Sequence, residues 1–512
     1  MSLRFKARAK ETPGSLIRDL RDDGLKEYGL KDTSVEGKAL AFYYVLPAMI
    51  LSRNPGVDFP QEAILHFMKQ SLSASSFFIL ALCFLIIWIP IPLASNRIWA
   101  WSIVEFYIIA LAFVHLVFCF VRKQLLFTES WQKYCLLPVI FLLLFTFLQW
   151  SGLVTGISTV DAFQTFQQLI KTLCYGLFIW LLSVHCVSVK MLRWVCVAII
   201  VSACIQAFYG SVLNLINLPT SPIFGFVDGD RAKGSFVYQN HFANFLAVSI
   251  SIAFGWLISE LKTTRSGRFD FRTFILGVFE TLISSKIILR LAIVIMIIGL
   301  ILSRSRMGNA GFFTALIVVS LLALLIYRNP PRMLKPLVIS IFILDLIIVG
   351  SIFGVEKVKQ RIEDTSFAAE TRDDVVRDSI PIIEQHWLTG NGAGSFYTVF
   401  PQYQSVPYSS FYDHAHNDYI QFAVEYGVVV TGLLGLWLLY CLWLACRTMY
   451  LRNNKLYKGI AFGCAMAIVH MLIHCTVDFN LQSPANTLLF LTILTLCWLV
   501  RYLPSDTHKI AR

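Results

Sequence analysis

The chain has 512 residues, of which 57% are hydrophobic and only 14% charged, and its mean hydropathy is +0.67. These values exclude an ordinary soluble domain and indicate a polytopic membrane protein. The net charge of +12 does not indicate nucleic-acid binding, because the basic residues are spread through short segments between apolar runs.

The first 74 residues are polar and basic and precede the long apolar runs. They contain a 13-residue apolar run at 39–51, which is too short to cross a bilayer. We predict a cytoplasmic N-terminal segment, 1–74, with one interfacial helix. A disordered tail is the alternative, because the charges of this segment are mixed in sign.

Twelve apolar runs of near-membrane length follow and predict an all-α polytopic membrane protein with about 12 transmembrane helices. Nine of them lie within 75–353 and three within 418–503, which leaves 504–512 as a cytoplasmic tail. The predicted spans are 75–93, 98–121, 134–150, 166–187, 192–214, 239–260, 287–303, 308–327, 336–353, 418–446, 459–476 and 485–503.

The distribution of Lys and Arg predicts the orientation in the membrane. With the N-terminus inside, 32 of the 43 Lys and Arg fall in internal segments and 11 at external positions. By the positive-inside rule, this split places both termini in the cytoplasm. The segments 231–241, 303–306, 371–418 and 477–486 then all open on the external side, which indicates one shared site.

The longest external segment, 354–417, is predicted to be a loop that contains a helix. Apolar residues recur in it near helical spacing, at Val375, Val376, Ile380 and Ile383. This helix is expected to end before His386. The glycine-rich stretch 390–394 can turn tightly, and a plain loop turn is favoured over a phosphate cradle because such stretches are common in loops.

Polar residues gather at the start of the tenth predicted span, at His414, His416, Asn417, Asp418 and Glu425. At 1.5 Å per residue, Glu425 lies about two helical turns inside the span. A carboxylate at that depth costs several kcal/mol unless it is paired or hydrated. The sequence therefore predicts a polar cavity here rather than plain contact with lipid.

A motif in this region resembles the signature of the O-antigen ligase family. His416 and Asn417 are followed, after nine residues, by Gly427, which gives the pattern H-N-x9-G. The family pattern has a second glycine three residues further on. This chain has Val430 at that position, and Gly432 follows two residues later.

Four other segments also resemble this family, so that the resemblance extends over roughly 75–503. They are 231–247 (RAKGSFVYQNHFANFLA), 303–308 (SRSRMG), 371–396 and 477–486 (VDFNLQSPAN).

The resemblance implies a glycosyl-group transferase of the bacterial inner membrane whose active site and long loop face the periplasm. The donor would be a glycan on undecaprenyl pyrophosphate, and the acceptor would be a hydroxyl. Neither a metal nor a nucleotide sugar is implied, because arginine side chains can meet the leaving pyrophosphate. An O-antigen ligase, a polysaccharide polymerase and a protein O-oligosaccharyltransferase differ in their acceptors, and the sequence leaves all three open.

The resemblance also implies donor contacts for basic residues at the external helix ends. A guanidinium can hold two phosphate oxygens in a bidentate fork, and we expect this role for Arg231 and Arg306. Membrane anchoring is the alternative for both. The full set of predicted substrate-binding residues is Arg231, Arg306, Arg304, Lys233, Asn417, Arg372 and Glu425.

His416 is the predicted catalytic base, because a neutral imidazole can accept a proton near pH 7 and a hydroxyl nucleophile needs that help. Asp413 or Asp418 is expected to orient its ring. His414 is expected to be a second base or a substrate contact, so the predicted catalytic set is His416, His414 and Asp418.

Three other expectations concern polar residues in or near the spans. Asn240 is expected to cap the sixth span rather than to bind substrate. His470 and His474 are four residues apart on one helix face, but packing roles are favoured over a metal site because a third ligand at standard spacing is missing. Asp345, in the middle of the ninth span, is expected to have a polar partner.

A twelve-span transporter is the competing class of function, because the basic segment 261–286 divides the spans into two sets of six. Transporters usually place their sites near the bilayer midplane. Here the polar groups gather at one external face, which favours the transferase.

Overall fold

A computed structural model describes residues 61–216, 218, 220–225, 231–260, 286–327, 372–405 and 412–504, with side chains from residue 74 onward except that of 286. The helices, in chain order, are α1 (Gln61–Trp88), α2 (Ile98–Arg122), α3 (Ser130–Ser151), α4 (Ala162–His185), α5 (Val189–Ile216), α6 (Gln239–Ser259), α7 (Lys286–Leu302), α8 (Arg306–Ile326), α9 (372–385), α10 (Asp418–Leu451), α11 (Lys455–His474) and α12 (Pro484–Tyr502). The described residues form helices and turns and contain no β-strand.

Nine of these helices are long and apolar enough to cross a membrane, and they coincide with nine of the predicted spans. Two further predicted spans correspond to shorter apolar helices, at Ala74–Trp88 within α1 and Ile287–Leu302 within α7. The chain is therefore a multi-pass α-helical membrane protein. The ninth predicted span with Asp345, and the predicted interfacial helix at 39–51, lie outside the described residues.

The centre of the bundle is formed by α6, α11 and α12. In the most apolar stretch of each of these helices, 89%, 78% and 83% of the residues are buried, whereas in α10 only 22% are buried. The backbones of α6 and α11 touch where glycines face each other, since a Cβ atom on Gly459 would overlap the carbonyl of Gly255 and one on Gly463 would lie 2.5 Å from the carbonyl oxygen of Ser251. Small residues allow helices in membranes to approach this closely.

Side-chain caps define where several helices begin. The Asn417 side chain accepts hydrogen bonds from the amides of Tyr419 (3.0 Å) and Ile420 (3.2 Å), and so starts α10. The prediction that Asn240 caps α6 is wrong. The helix starts at Gln239 with Tyr238 as N-cap, two residues before Asn240, and the Asn240 side-chain amide instead donates to the Tyr238 hydroxyl at 2.7 Å.

Helix α9 lies in the long loop and ends before His386, as the apolar spacing predicted. Its buried residues Val375 and Ile382 pack with Phe396, Phe400 and Val424. The apolar residues of α9 therefore attach this part of the loop to the first turns of α10, although Ile380 is 45% exposed.

Gly427 breaks α10 ten residues after the cap. Its φ of +80° lies in the region that favours glycine, and a Cβ atom there would lie 2.6 Å from the carbonyl oxygen of Leu388. The amide of Val428 donates to the carbonyl of Trp387 at 2.7 Å. The motif glycine thus permits the loop after α9 to dock directly onto the backbone of a membrane helix.

The glycine-rich stretch 390–394 completes this docking. The amides of Asn391 and Gly392 donate to the carbonyls of Val424 (2.9 Å) and Glu425 (3.1 Å). These two amides are used by the protein itself, which agrees with the expected plain turn rather than a phosphate cradle.

Candidate active site

Polar residues from four sequence-distant segments meet beside the start of α10. Tyr238 precedes α6, Arg372 begins α9, the segment 412–418 leads into α10, and the segment 474–479 follows from the end of α11. The contacts below join these segments into one cluster. The contacts bring together three of the four predicted segments, 231–241, 371–418 and 477–486, and the inclusion of 303–306 stays a prediction.

The aromatic ring of Phe479 lies at the centre of the cluster. The rings of His414 and Tyr238 stack on it, with centroid distances of 4.6 Å and 5.7 Å. The rings of His416 and His241 meet it edge to face, each at 4.6 Å. Both predicted catalytic histidines therefore contact one phenylalanine.

His416 has an unusual backbone and an unsatisfied ring. Its φ of +49° is left-handed, which is strained for a non-glycine residue and is often found at functional sites. Its buried Nδ1 has no hydrogen-bond partner among the described residues. Burial, with the positive charge of Arg372 and the nearby His414, lowers the pKa of His416 to about 3, so the imidazole is neutral at pH 7.

His414 is held differently. Its Nδ1 lies 3.1 Å from the side-chain nitrogen Nε2 of Gln421. This Nε2 also donates to a carboxylate oxygen of Glu425 at 3.0 Å. Burial lowers the pKa of His414, against the opposing influence of Asp413 and the Gln421 hydrogen bond. His414 thus belongs to a hydrogen-bonded row along the first turns of α10.

Asp418 is used to fix the backbone. Its carboxylate accepts from the amide of Leu481 at 3.0 Å, and its own amide donates to the carbonyls of Cys475 (3.0 Å) and Asp478 (3.2 Å). This fully buried residue ties α10 to the segment after α11. In the described part of the chain, Nδ1 of His416 has no hydrogen bond to the Asp418 carboxylate, and Asp413 is exposed.

Arg372 points into the cluster. It donates to the Tyr238 hydroxyl at 3.0 Å and to the carbonyl of Val477 at 3.4 Å. Burial raises the pKa of Tyr238 to about 12, although the charges of Arg372 and Arg231 act in the opposite direction. Arg231, which is predicted to bind phosphate, is thus near enough for its charge to act on this phenol.

Asp478 adds a buried carboxylate to the cluster. One of its oxygens accepts from the Phe479 amide at 3.0 Å, and the other lies 3.8 Å from Nε2 of His474. Burial raises the pKa of Asp478 to about 6, against the opposing influence of the Phe479 amide and Arg372. His470 lies one turn before His474 and has Asn244 as its partner, with 3.1 Å between Nε2 and Oδ1.

The segments that carry the remaining predicted basic residues meet at the end of α7. The amide of Ala232 donates to the carbonyl of Leu302 at 3.0 Å, which joins the segment of Arg231 and Lys233 to the end of α7. Arg304, whose φ is +50°, and Arg306 lie in the turn between α7 and α8 and at the start of α8. Substrate binding by these residues and by Asn417 stays a prediction.

Glu425 faces a different space from His416. With Asp418, Gln168 and Lys171 it belongs to the lining of a mostly apolar cavity between α3, α4, α10, α11 and α12. Gln421 bridges the two regions, because its side chain reaches both Glu425 and His414. A substrate-binding role for Glu425 stays a prediction.

Three members of the cluster were not singled out from the sequence: Tyr238, Gln421 and Phe479. Tyr238 and Phe479 stand inside segments that resemble the family, beside residues that were considered. The signal was therefore present at the level of the segment. Aromatic residues are so frequent in this chain that nothing distinguished these two individually.

The fold and this cluster together define a multi-pass helical membrane protein with a polar, arginine-containing site at one end of its central helices. Residues 291–435 match a family model described as O-Antigen ligase. The resemblance predicted from the H-N-x9-G motif is thereby confirmed, and the matched region contains His414, His416, Arg372 and Gly427. No curated protein matches the chain.

Proposed function

We propose that the protein transfers a glycan from an undecaprenyl-pyrophosphate donor to an acceptor hydroxyl at the periplasmic face of the bacterial inner membrane. One observation supports this most: the neutral imidazole of His416 and the guanidinium of Arg372, which both lie in the region that matches the O-antigen ligase family, both contact Tyr238. A base and a cation are the two groups that such a transfer requires.

The reaction is a displacement at the anomeric carbon. His416 withdraws the proton of the acceptor hydroxyl as the oxygen attacks that carbon, and the bond to the pyrophosphate oxygen breaks. The leaving undecaprenyl pyrophosphate carries the displaced electron pair, and Arg372, Arg231 and Arg306 stabilise its negative charge. Direct attack inverts the anomeric configuration.

Donor binding also adjusts the base. The positive charge of Arg372 contributes to the low pKa of His416 in the free protein. A pyrophosphate anion beside Arg372 offsets that charge, so the pKa of His416 rises when the donor is bound. His416 then becomes a stronger base when the reaction needs it.

Reconstitution of the purified protein in liposomes tests this function. With a lipid-linked glycan and candidate acceptors, we expect a new glycosidic bond with inverted configuration, detected by mass spectrometry and NMR of the product. Movement of intact glycan across the bilayer with no new bond would favour a transporter instead. Glycan-linkage analysis in a deletion strain separates the ligase, polymerase and protein O-oligosaccharyltransferase alternatives by their acceptors.

A further inference from the structure

The orientation of His416 has no carboxylate to explain it among the described residues. In enzymes with a Ser-His-Asp arrangement, a buried carboxylate holds the base through a hydrogen bond to the second ring nitrogen. In this protein Nδ1 of His416 is buried and has no hydrogen-bond partner in the described part of the chain. Within the described residues, this ring is in contact with groups of another kind.

Aromatic rings surround His416 instead. The ring of Phe479 lies at 4.6 Å with an interplanar angle of 82°, and that of Tyr412 at 5.5 Å with an angle of 80°. Tyr238 follows at 6.3 Å. Edge-to-face pairs of this kind contribute about 0.5–1.5 kcal/mol beyond their buried area and prefer a defined angle. Of these three rings, Phe479 is nearest.

Phe479 is itself firmly placed. Its amide donates to the Asp478 carboxylate at 3.0 Å, and its carbonyl accepts from the amide of Gln482 at 3.1 Å. The carbonyl of the preceding residue, Asp478, accepts from the amide of Asp418 at 3.2 Å. The backbone around Phe479 is thus joined to the first turn of α10, directly beside the segment that carries His416.

The ring of Phe479 is also engaged with other rings. Those of His414 and Tyr238 lie nearly parallel to it, with interplanar angles of 24° and 16°. Tyr238 in turn accepts the hydrogen bond from Arg372. The ring of Phe479 therefore connects the proposed base to the residue that holds the proposed phosphate-binding arginine.

We propose that Phe479 is the positioning residue of the active site, in the place that a carboxylate takes in other enzymes: its ring sets the direction of the His416 imidazole and the distance of that imidazole from Arg372. This inference rests on the proposed function for its effect on turnover. Its structural part, the fixing of the two histidine rings, is independent of that function.

Three variants of the full-length protein test this role. Phe479→Leu keeps an apolar side chain but removes the flat ring, and Phe479→Tyr keeps the ring. Phe313→Leu is the matched control, because Phe313 is a partly buried phenylalanine of α8 whose ring packs edge to face on Phe312, with centroids 5.0 Å apart.

Two readouts are needed. The first is the rate at which diethyl pyrocarbonate modifies His416 and His414, followed by mass spectrometry on purified protein without donor or acceptor. The second is the steady-state rate of glycan transfer. A misplaced catalytic group lowers kcat by on the order of 10-fold to 100-fold. For Phe479→Leu we expect a loss of that size, a donor KM that changes little, and faster modification of His416.

We expect Phe479→Tyr to resemble the wild type in both readouts, because the ring is retained. The proposal is overturned if Phe479→Leu matches Phe313→Leu in both, or if it changes donor KM and leaves kcat intact. If the wild-type protein transfers no glycan, the proposed function fails, and the modification rates alone decide whether Phe479 positions His416.

Discussion

In the described part of the chain, two pairs of histidines lie among the aromatic rings of other residues, and one of these two pairs has the features of a site. The inner pair, His115 on α2 and His185 on α4, lies near the ends of these helices predicted to be cytoplasmic. Phe78 stacks on His185 at 4.1 Å and Trp180 meets His115 at 4.7 Å. The outer pair, His414 and His416, has a similar environment around Phe479.

The two pairs differ in how their ring nitrogens are satisfied. All four nitrogens of the inner pair have partners: 3.0 Å separates Nδ1 of His115 from Nε2 of His185, and Ser75 and Cys119 complete the chain at 3.3 Å and 3.5 Å. In the outer pair His416 has an unpartnered buried Nδ1 within the described residues, a left-handed backbone and Arg372 nearby. Satisfied polar groups stabilise a fold, whereas strain and unsatisfied atoms remain available for chemistry.

Replacing one histidine from each pair separates these roles most clearly. We expect His416→Ala to lower the rate of glycan transfer by roughly 10²–10⁴ while leaving membrane insertion and donor binding intact, because a base is lost and the arginines remain. We expect His185→Phe to keep the turnover but to lose about 1–3 kcal/mol of stability, because His115 loses a buried partner.

Purified variants assayed for turnover and for thermal unfolding provide the comparison. His414→Ala is a second control, expected to be milder than His416→Ala. Near-normal transfer by His416→Ala together with loss in His414→Ala would assign the base to the other histidine. If neither replacement lowers the turnover, another group accepts the proton. The outer pair would then have no catalytic role.

The arginines of the outer region provide the next largest effect. Arg231→Lys, Arg306→Lys and Arg372→Lys keep the charge but lose the planar fork. Charge-assisted hydrogen bonds contribute about 1.5–3 kcal/mol, so we expect donor affinity to fall roughly 10-fold to 100-fold in each. Equilibrium binding of a lipid pyrophosphate to protein in nanodiscs measures this loss.

Arg377→Lys is the matched control on the same helix as Arg372, because its guanidinium is 64% exposed and lies 2.5 Å from Asp374. If all three variants bind the donor with wild-type affinity, these arginines do not bind it through a bidentate fork, and membrane anchoring becomes the favoured role.

The backbone of the outer region is also distinctive and can be tested with two glycines of α10. Gly427→Ala forces a left-handed φ on alanine and a clash with Leu388, so we expect a loss of about 1–3 kcal/mol in stability and faster proteolysis of the loop that contains α9. Gly432→Ala, with no atom within 4 Å of the added methyl, is expected to be neutral or slightly stabilising. Thermal unfolding and limited proteolysis distinguish the two. Equal behaviour would mean that the docked loop does not depend on the kink.

The smallest expected effect is on proton binding. Because Arg372 contributes to the low pKa of His416, Arg372→Gln should raise that pKa above the wild-type value of about 3. NMR titration of labelled histidine, with His416→Ala used for assignment, measures the shift. The lowered pKa contributes stability that is present above pH 6.5 and lost as the pH falls toward 3, so the variant should lose less stability over this window. An unchanged pKa would place Arg372 too far from His416 to act on it.

The membrane helices were predictable because their signal is local. A long apolar run cannot be satisfied in water, and α4, α6 and α12 begin and end within a few residues of the predicted bounds. The cap of α6 was predicted two residues too far along, because a helix start depends on which carbonyl accepts first rather than on which residue is the better cap. The break at Gly427 was not predictable, since its cause is the backbone of residues 387 and 388, almost forty positions earlier.

The site also has residues that the sequence indicates and residues that only the contacts reveal. Motif spacing and charge indicated His416, His414, Arg372 and Arg231, because ionisable groups near apolar spans are few. Phe479 carries no charge and stands in a chain with 41 phenylalanines, so only its four ring contacts reveal it. Roles for Asp413 or Asp418 as orienting carboxylates rested on sequence proximity alone. Side chains that are adjacent in sequence at a helix start point in different directions, and Asp418 faces the Leu481 amide.

The interval between the Asn417 cap and the Gly427 break fixes both a length and a rotation. Each α-helical residue advances about 1.5 Å and turns about 100°. One inserted residue would therefore swing the amide of Val428 roughly a quarter turn away from the Trp387 carbonyl that it now meets. The helix would survive, since insertion leaves its own hydrogen bonds intact, but the docked loop and the membrane helix would no longer be in register. The length of this segment is therefore set by the docked loop as well as by the helix itself.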